Sequence, residues 1–259
     1  MSNTNIPKIY VINLDRSVER WKRISGQLDS LSLSYERISA VEGAALPDFR
    51  EAFNAASFKL IARHDLVPGE AGCSLSHIRI WEKILADNMP YALILEDDVV
   101  VEGPLVQFLN SNCFRGFDYL KIDTDKANYP YSYTTMSEVS TKDFTLTECD
   151  PVPFLTGGYI ISNKGARIFL NSSRGMYYPV DILPQFTYPY TKQGFVFPQL
   201  VKDKFVDSNI PGRDFVDQIT ALESLRVFFL KLTGKFLLRK LSVTMPLLFR
   251  RPNKRSGGK

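Results

Sequence analysis

The stretch "YALILEDDVVVEG", residues 91–103, constrains the fold more than any other part of the chain. An unbroken apolar run, Tyr91 to Leu95, is followed by Glu96, Asp97 and Asp98 side by side. Such a run, with no polar alternation, fits a strand covered on both faces, as in α/β sheets. Three adjacent carboxylates at its end repel one another unless positive charge sits among them. In open α/β sheets ligands collect beyond the carboxyl ends of strands. One short segment therefore predicts both an architecture and a site.

The rest of the chain follows the same pattern. "KIYVINLD" (8–15) reads as a buried strand that stops at Asn13 and Asp15. A helix comes next, with Val18, Trp21, Ile24 and Leu28 at helical spacing and Ser17 as its cap. "SYERISAVEG" (34–43) is a second strand. A helix then opens at Pro68-Gly69 and carries Leu75, Ile78, Trp81 and Leu85. "FDYLKIDTD" (117–125) is another strand, and residues 154–173 give a strand, a turn and a helix. This alternation predicts an α/β fold with a mostly parallel, mixed central sheet flanked by helices. With no internal repeat or low-complexity linker, the economical parse is one catalytic domain over 1–221 and a tail over 222–259.

Charge is divided along that boundary. The tail holds ten Lys and Arg against a single acid, Glu223, a net of +9, which leaves −5 on the 221 residues before it. Cys73, Cys113 and Cys149 are too few and scattered for a disulfide framework, and no C-x-x-C pair marks a structural zinc. A reduced, cytoplasmic setting is expected, and "MSNTNIPKIYVINLD" lacks the features of a signal peptide.

Side chains alternate along a strand, so Glu96 and Asp98 are expected to share a face while Asp97 points away. Two carboxylates converging at a sheet edge suit a hard cation, Mg²⁺ or Mn²⁺, which in turn neutralises a departing diphosphate. The bland alternative is that these acids only solvate a strand end. "DTD" (123–125) is a competing D-x-D pattern, ranked second because Asp118 and Lys121 interrupt its strand.

Three segments together resemble glycosyltransferase family 25, the lipooligosaccharide sugar transferases related to collagen galactosyltransferases. They are "VINLDRSVERW" with "YERISAVEG", "GEAGCSLSHIRIWEKI" leading into "LILEDDV", and "TGGYIISNKGARIFL" with "YYPVDILP". The resemblance implies a GT-A-type fold, a nucleotide-sugar donor, most often UDP-galactose, and inversion to a β-linkage. It matches the family's acidic motif to Glu96, Asp97 and Asp98. Asp98 becomes the first choice for a metal ligand, with Glu96 or Asp97 holding the ribose or the metal's water shell. A third ligand is sought in residues 198–210.

Other candidates lie around these. Asn13, Leu14, Asp15, Arg16 and Arg20 follow the first strand, where backbone near Leu14 reads a uracil edge and either arginine pairs with phosphate. The alternative makes both arginines surface partners of nearby acids. His77 is placed near the donor by the resemblance, whereas a lone histidine between Leu75 and Ile78 is commonly just packed. Glu70 reads as a first-turn acid and Cys73 as a small core residue. Gly157 and Gly158 let backbone approach a ligand, or else form a bulge. Asp181 is the expected catalytic base, since an inverting transfer needs one carboxylate to take the acceptor's proton. Tyr177, Tyr178, Tyr188 and Tyr190 surround it for stacking on sugar; the alternative has Asp181 capping a helix.

The tail interleaves Leu225, Phe228, Phe229, Leu232, Phe236 and Leu241 with cations, which suits a helix lying on an anionic membrane surface. It is too apolar for nucleic acid. A lipid-linked oligosaccharide acceptor at the inner face of the inner membrane fits that placement. Two rival functions remain: a nucleotidyltransferase, disfavoured because "NLDRSVER" has no glycine, and a non-catalytic membrane-associated sugar-binding protein.

Overall fold

A computed structural model describes residues 6–49, 53, 58–59, 62, 64–125, 133–174 and 179–203. The tail and residues 204–210 of the segment searched for a third metal ligand lie outside the described residues. Ten strands and five helices are seen among the described residues. In chain order they are β1 (Lys8–Asn13), α1 (Val18–Ser30), β2 (Tyr35–Ser39), α2 (Pro68–Ala86), β3 (Tyr91–Glu96), β4 (Val99–Val101), α3 (Leu105–Ser111) and β5 (Tyr119–Lys121). β6 (Thr134–Ser140), β7 (Thr145–Asp150), β8 (Gly158–Ser162), α4 (Asn163–Ser172), α5 (Leu183–Thr187), β9 (Gln193–Phe197) and β10 (Val201–Asp203) follow.

Eight strands form one sheet in the order β2-β1-β3-β8-β5-β9-β7-β6. β1 pairs in parallel with β2 and β3, and β5 with β9, while β8 and β7 run antiparallel to both of their neighbours. Six strands thus point one way and two are reversed, the mostly parallel mixed sheet that strand–helix alternation predicts. β10 pairs with β4 in a separate ribbon. The β6–β7 hairpin is an addition that the periodicity does not show: every residue of β6 is exposed, so no apolar pattern marks it.

Alternation along the central strands builds two cores. Ile9, Val11, Leu93 and Leu95 face one side, where Ile24 and Leu28 of α1 and Phe108 and Leu109 of α3 cover them. Tyr10, Ile12, Ala92 and Ile94 face the other, against Ile80, Trp81 and Ile84 of α2 and Phe169 of α4. Helices on both faces explain why β3 tolerates no polar residue before Glu96.

Several boundaries are tighter than the sequence suggests. β2 stops at Ser39 and a short 3₁₀ turn, Gly43–Ala45, follows. β5 has three residues, not nine. Ser17 makes no side-chain cap, so α1 begins without one. No turn separates β8 from α4, because Ser162 ends the strand and caps the helix, its Oγ accepting from the Gly165 N–H at 2.9 Å.

Helix α2 is seated by glycine. A Cβ on Gly72 would run into the carbonyl oxygen of Val41 and come within 2.8 Å of the Gly43 nitrogen. The Val41 N–H donates to Ser76 Oγ at 2.8 Å, locking the same loop onto the helix. Both obstacles are backbone and have little room to yield. Gly72→Ala is therefore expected to destabilise the protein by about 1–3 kcal/mol, read as a lowered midpoint in thermal or urea unfolding.

Candidate active site at the carboxyl end of the sheet

The carboxyl ends of β1, β3 and β5 and the amino end of β8 meet at one edge. The registers Ile12 with Glu96, Leu95 with Gly158, and Lys121 with Tyr159 bring Asn13, Glu96, Asp123 and the Thr156-Gly157-Gly158 turn together. The strand ends at Glu96, and Asp97 and Asp98 lie in the turn that leads to β4. Strict alternation therefore stops one residue before it would sort the three acids.

Each acid is held differently. Asp97 is buried, and its Oδ2 accepts from Asn13 Nδ2 at 2.5 Å. Asn13 also donates to the Ser17 carbonyl at 3.1 Å and accepts from Arg37 Nε at 2.9 Å, so its side chain is occupied in positioning Asp97. Arg20 Nη1 reaches Asp97 Oδ1 at 3.3 Å and Asp98 Oδ2 at 3.5 Å, and Arg23 donates to the Asp97 carbonyl at 3.2 Å. Arg20 is the positive charge among the acids in this structure. Arg16 instead pairs with Glu42 on the surface, the alternative reading of that arginine with a different acid. Asp15 is exposed and held by Ser39 at 2.9 Å and Arg37 at 3.3 Å, while Leu14 is half-buried and its carbonyl receives the Ser17 N–H.

Glu96 sits in a buried polar chain. Its Oε1 accepts from Thr156 Oγ1 at 2.5 Å and lies 3.3 Å from His77 Nε2. His77 is fully buried, and its Nδ1 is 2.8 Å from the Tyr159 hydroxyl, which also receives the Trp81 indole N–H at 3.1 Å. The indole only donates, so the Tyr159 oxygen accepts there, while the direction of its contact with His77 Nδ1 follows the imidazole tautomer. In the tautomer with its proton on Nε2, that proton is aimed at Glu96. Burial pushes the Glu96 carboxyl up, but His77, Thr156 and Lys121 together hold it below the usual carboxylate range.

Asp98 lacks such support. Burial, then Glu96 and Asp97, push its carboxyl up to about 6 against the pull of Arg20. Both hydrogen bonds to the Glu96 side chain fall on Oε1 among the described residues, and the Glu96 charge is near enough to raise the Asp98 carboxyl, so the two acids make a hard oxygen donor set. That donor set fits a Mg²⁺ or Mn²⁺ ion.

The DTD pattern is used otherwise. Lys121 is fully buried and its Nζ touches both Asp123 oxygens, at 2.9 and 3.0 Å, while the Gly158 N–H donates to Asp123 at 3.1 Å. Lys121 also holds the carbonyl of Leu155, whose φ of 76° is strained for a leucine. The residue that interrupts the β5 pattern is thus a buried counter-ion, and Asp125 is exposed.

Gly157 and Gly158 are buried. The Gly157 carbonyl accepts from the Glu96 N–H, and a Cβ on Gly158 would strike Val201 and Ile122. Asp181 is half-buried just before α5, near enough to Cys73 and Tyr119 to raise both. Tyr177 and Tyr178 lie outside the described residues. Sequence reasoning missed Thr156, Tyr159, Trp81 and Lys121 as site residues. The four-residue steps from Cys73 to His77 to Trp81, one face of α2, were the available signal.

The family model "Glycosyltransferase family 25 (LPS biosynthesis protein)" matches residues 6–184. The chain belongs to that family. The "Lacto-N-neotetraose biosynthesis glycosyltransferase LgtB" of Neisseria gonorrhoeae is 27% identical over 229 residues, covering 83% of this chain and 79% of that protein. "Procollagen galactosyltransferase 1-A" of Xenopus laevis is 25% identical over 189 residues, 64% of this chain and 28% of that protein. A "Glycosyltransferase 25 family member" of Aedes aegypti is 36% identical over 104 residues, 38% of this chain, and the chain spans only 17% of its length.

The raised Asp98 carboxyl has a stability consequence. Its folded value near 6 exceeds the ordinary 3.8, so ionising it costs stability fully above about pH 6 and not at all below about pH 4. Asp98→Asn is expected to raise the unfolding free energy of the ligand-free protein at pH 7.5 by on the order of 1 kcal/mol, with the gain vanishing toward pH 4. Thermal melts of both proteins across that range provide the check.

Proposed function

We propose that this protein is an inverting hexosyltransferase that moves galactose from UDP-galactose to a saccharide acceptor, forming a β-linkage. The observation that carries the reading is the convergence of Glu96 and Asp98 with the β1 loop at one sheet edge, in a family 25 chain. Two relatives, a lacto-N-neotetraose glycosyltransferase and a procollagen galactosyltransferase, support the sugar and the reaction class.

In this reading Glu96 and Asp98 would hold Mn²⁺ or Mg²⁺. Once bound, such an ion supplies charge neutralisation at the departing diphosphate. Arg20 pairs with phosphate while Asp97, clamped by Asn13, keeps the acidic turn in shape. The backbone beside Leu14 receives the uracil, and Gly157 and Gly158 wall the sugar. Asp181 takes the proton from the acceptor hydroxyl as its oxygen attacks the anomeric carbon, so no covalent intermediate forms. The acceptor is a lipid-linked oligosaccharide of the lipooligosaccharide type, met at the inner face of the inner membrane, where the basic tail binds anionic lipid. No helix among the described residues is long and apolar enough to cross a membrane.

A UDP-release assay over a panel of UDP-sugars tests the reaction. UDP-galactose with an oligosaccharide acceptor is expected to give the fastest release, with excess EDTA and Asp98→Ala each removing most of it. Asp181→Asn is expected to bind UDP normally yet lose at least about a hundredfold in turnover. Full activity with EDTA removes the metal, and normal turnover in the Asp181 variant assigns the base elsewhere. For the tail, a chain ending at residue 221 is expected to stop co-sedimenting with anionic vesicles while still releasing UDP. Unchanged sedimentation rejects the membrane role.

A further inference from the structure

Cys73, His77 and Glu96 form a cluster in which the hexosyl-transfer reading leaves the thiol unused. Cys73 and His77 are four residues apart on α2, so their side chains leave the same face of the helix, and Glu96 meets them from the end of β3. One sulfur, one ring nitrogen and one carboxylate oxygen all lie within 4.8 Å of one another.

The spacing is informative. His77 Nε2 and Glu96 Oε1 are 3.3 Å apart, long beside the roughly 2.7–2.9 Å of a charge-assisted N–H···O bond. Two ligands held about 2.1 Å from a tetrahedral ion lie about 3.4 Å apart, which is nearly the distance seen. A thiolate about 2.3 Å from the same ion would lie about 3.6 Å from either partner. Cys73 needs an adjustment of at most about 1.2 Å from its present limit of 4.8 Å. Cys73 is half-buried as a residue, and burial raises its thiol, so the ion displaces a proton from the sulfur on binding.

We infer that Cys73, His77 and Glu96 bind a zinc ion, with the fourth position open. Sulfur, imidazole and carboxylate make a zinc donor set, whereas Mg²⁺ and Mn²⁺ favour oxygen. On binding, Cys73 releases its thiol proton to solvent. His77 then carries its proton on Nδ1, and the Tyr159 hydroxyl turns its own proton away so that its oxygen accepts from Nδ1, as outer partners of zinc-bound histidines do. The ion takes Glu96 through Oε1, the oxygen beside His77, and the site stands apart from the hexosyl-transfer reading.

Cobalt(II), which takes zinc's geometry and reports sulfur ligation by a near-ultraviolet charge-transfer band, is the probe. It is added to the full-length chain without nucleotide sugar. One cobalt per chain with that band is expected, together with its loss on adding one equivalent of Zn²⁺. Cys73→Ser is expected to abolish the band and weaken zinc binding roughly tenfold or more, with the circular dichroism spectrum unchanged. Should that variant misfold, Cys73→Ala gives the same reading without a new polar atom. Asp98→Asn is expected to keep the band, which separates this cluster from the hard-cation pair. Cobalt bound without the band, no cobalt bound, or an undiminished band in the Cys73 variants would overturn the inference. Because no turnover is measured, failure of galactosyl transfer in the UDP-release assay leaves this outcome independent.

Discussion

Three carboxylates at the end of one buried strand set the terms for everything around them. Close like charges raise one another's proton affinity, and partial burial strengthens the effect. The protein compensates them unequally. Asp97 is buried against Asn13, Glu96 is drawn into a chain through Thr156, His77 and Tyr159, and Asp98 has Arg20 as its side-chain partner among the described residues. The incompletely neutralised carboxylate is the one at the mouth of the turn, where a cation and its phosphate partner would approach.

This inequality depends on the sheet beneath it. Parallel pairing of β1 with β3 puts Asn13 beside the acidic turn, and antiparallel pairing with β8 brings the Thr156-Gly157 turn against Glu96 from the other side. The buried Lys121–Asp123 pair secures that second turn by holding Leu155 and Gly158. A buried ion pair is weak evidence for stability, but removing one partner would strand a charge. The pair therefore fixes the loop geometry more than it strengthens the fold. α2, seated through Gly72, sets His77 and Cys73 over the same edge.

Much of this was legible in the residues. The strand before Glu96 is buried on both faces and so carries an unmistakable apolar run, and α2 is a helix as Leu75, Ile78, Trp81 and Leu85 suggested, although Ile80 and Ile84 join Trp81 in the core while Ile78 and Leu85 are only partly buried. Elements lacking a one-sided core left no such trace: β6 is wholly exposed, and β5 is only three residues long and carries a buried lysine. The acids themselves were evident, but not their partners. Arg20 and Asp97 are 77 residues apart, and His77 and Tyr159 are 82 apart. Local periodicity has no means of reporting contacts at that separation.

Strand–helix alternation, the acidic strand end and the family are carried by the residues in order, because they depend on local patterning along the chain. Only the tertiary structure decided which acid is clamped, which keeps excess charge, and that the D-x-D pattern at 123–125 is occupied by Lys121. The physical reason is that a carboxylate's behaviour is set by the charges and donors within a few ångströms of it. Here those neighbours arrive from β1, α1, α2, β5 and the turn before β8, segments that the chain brings together only by folding.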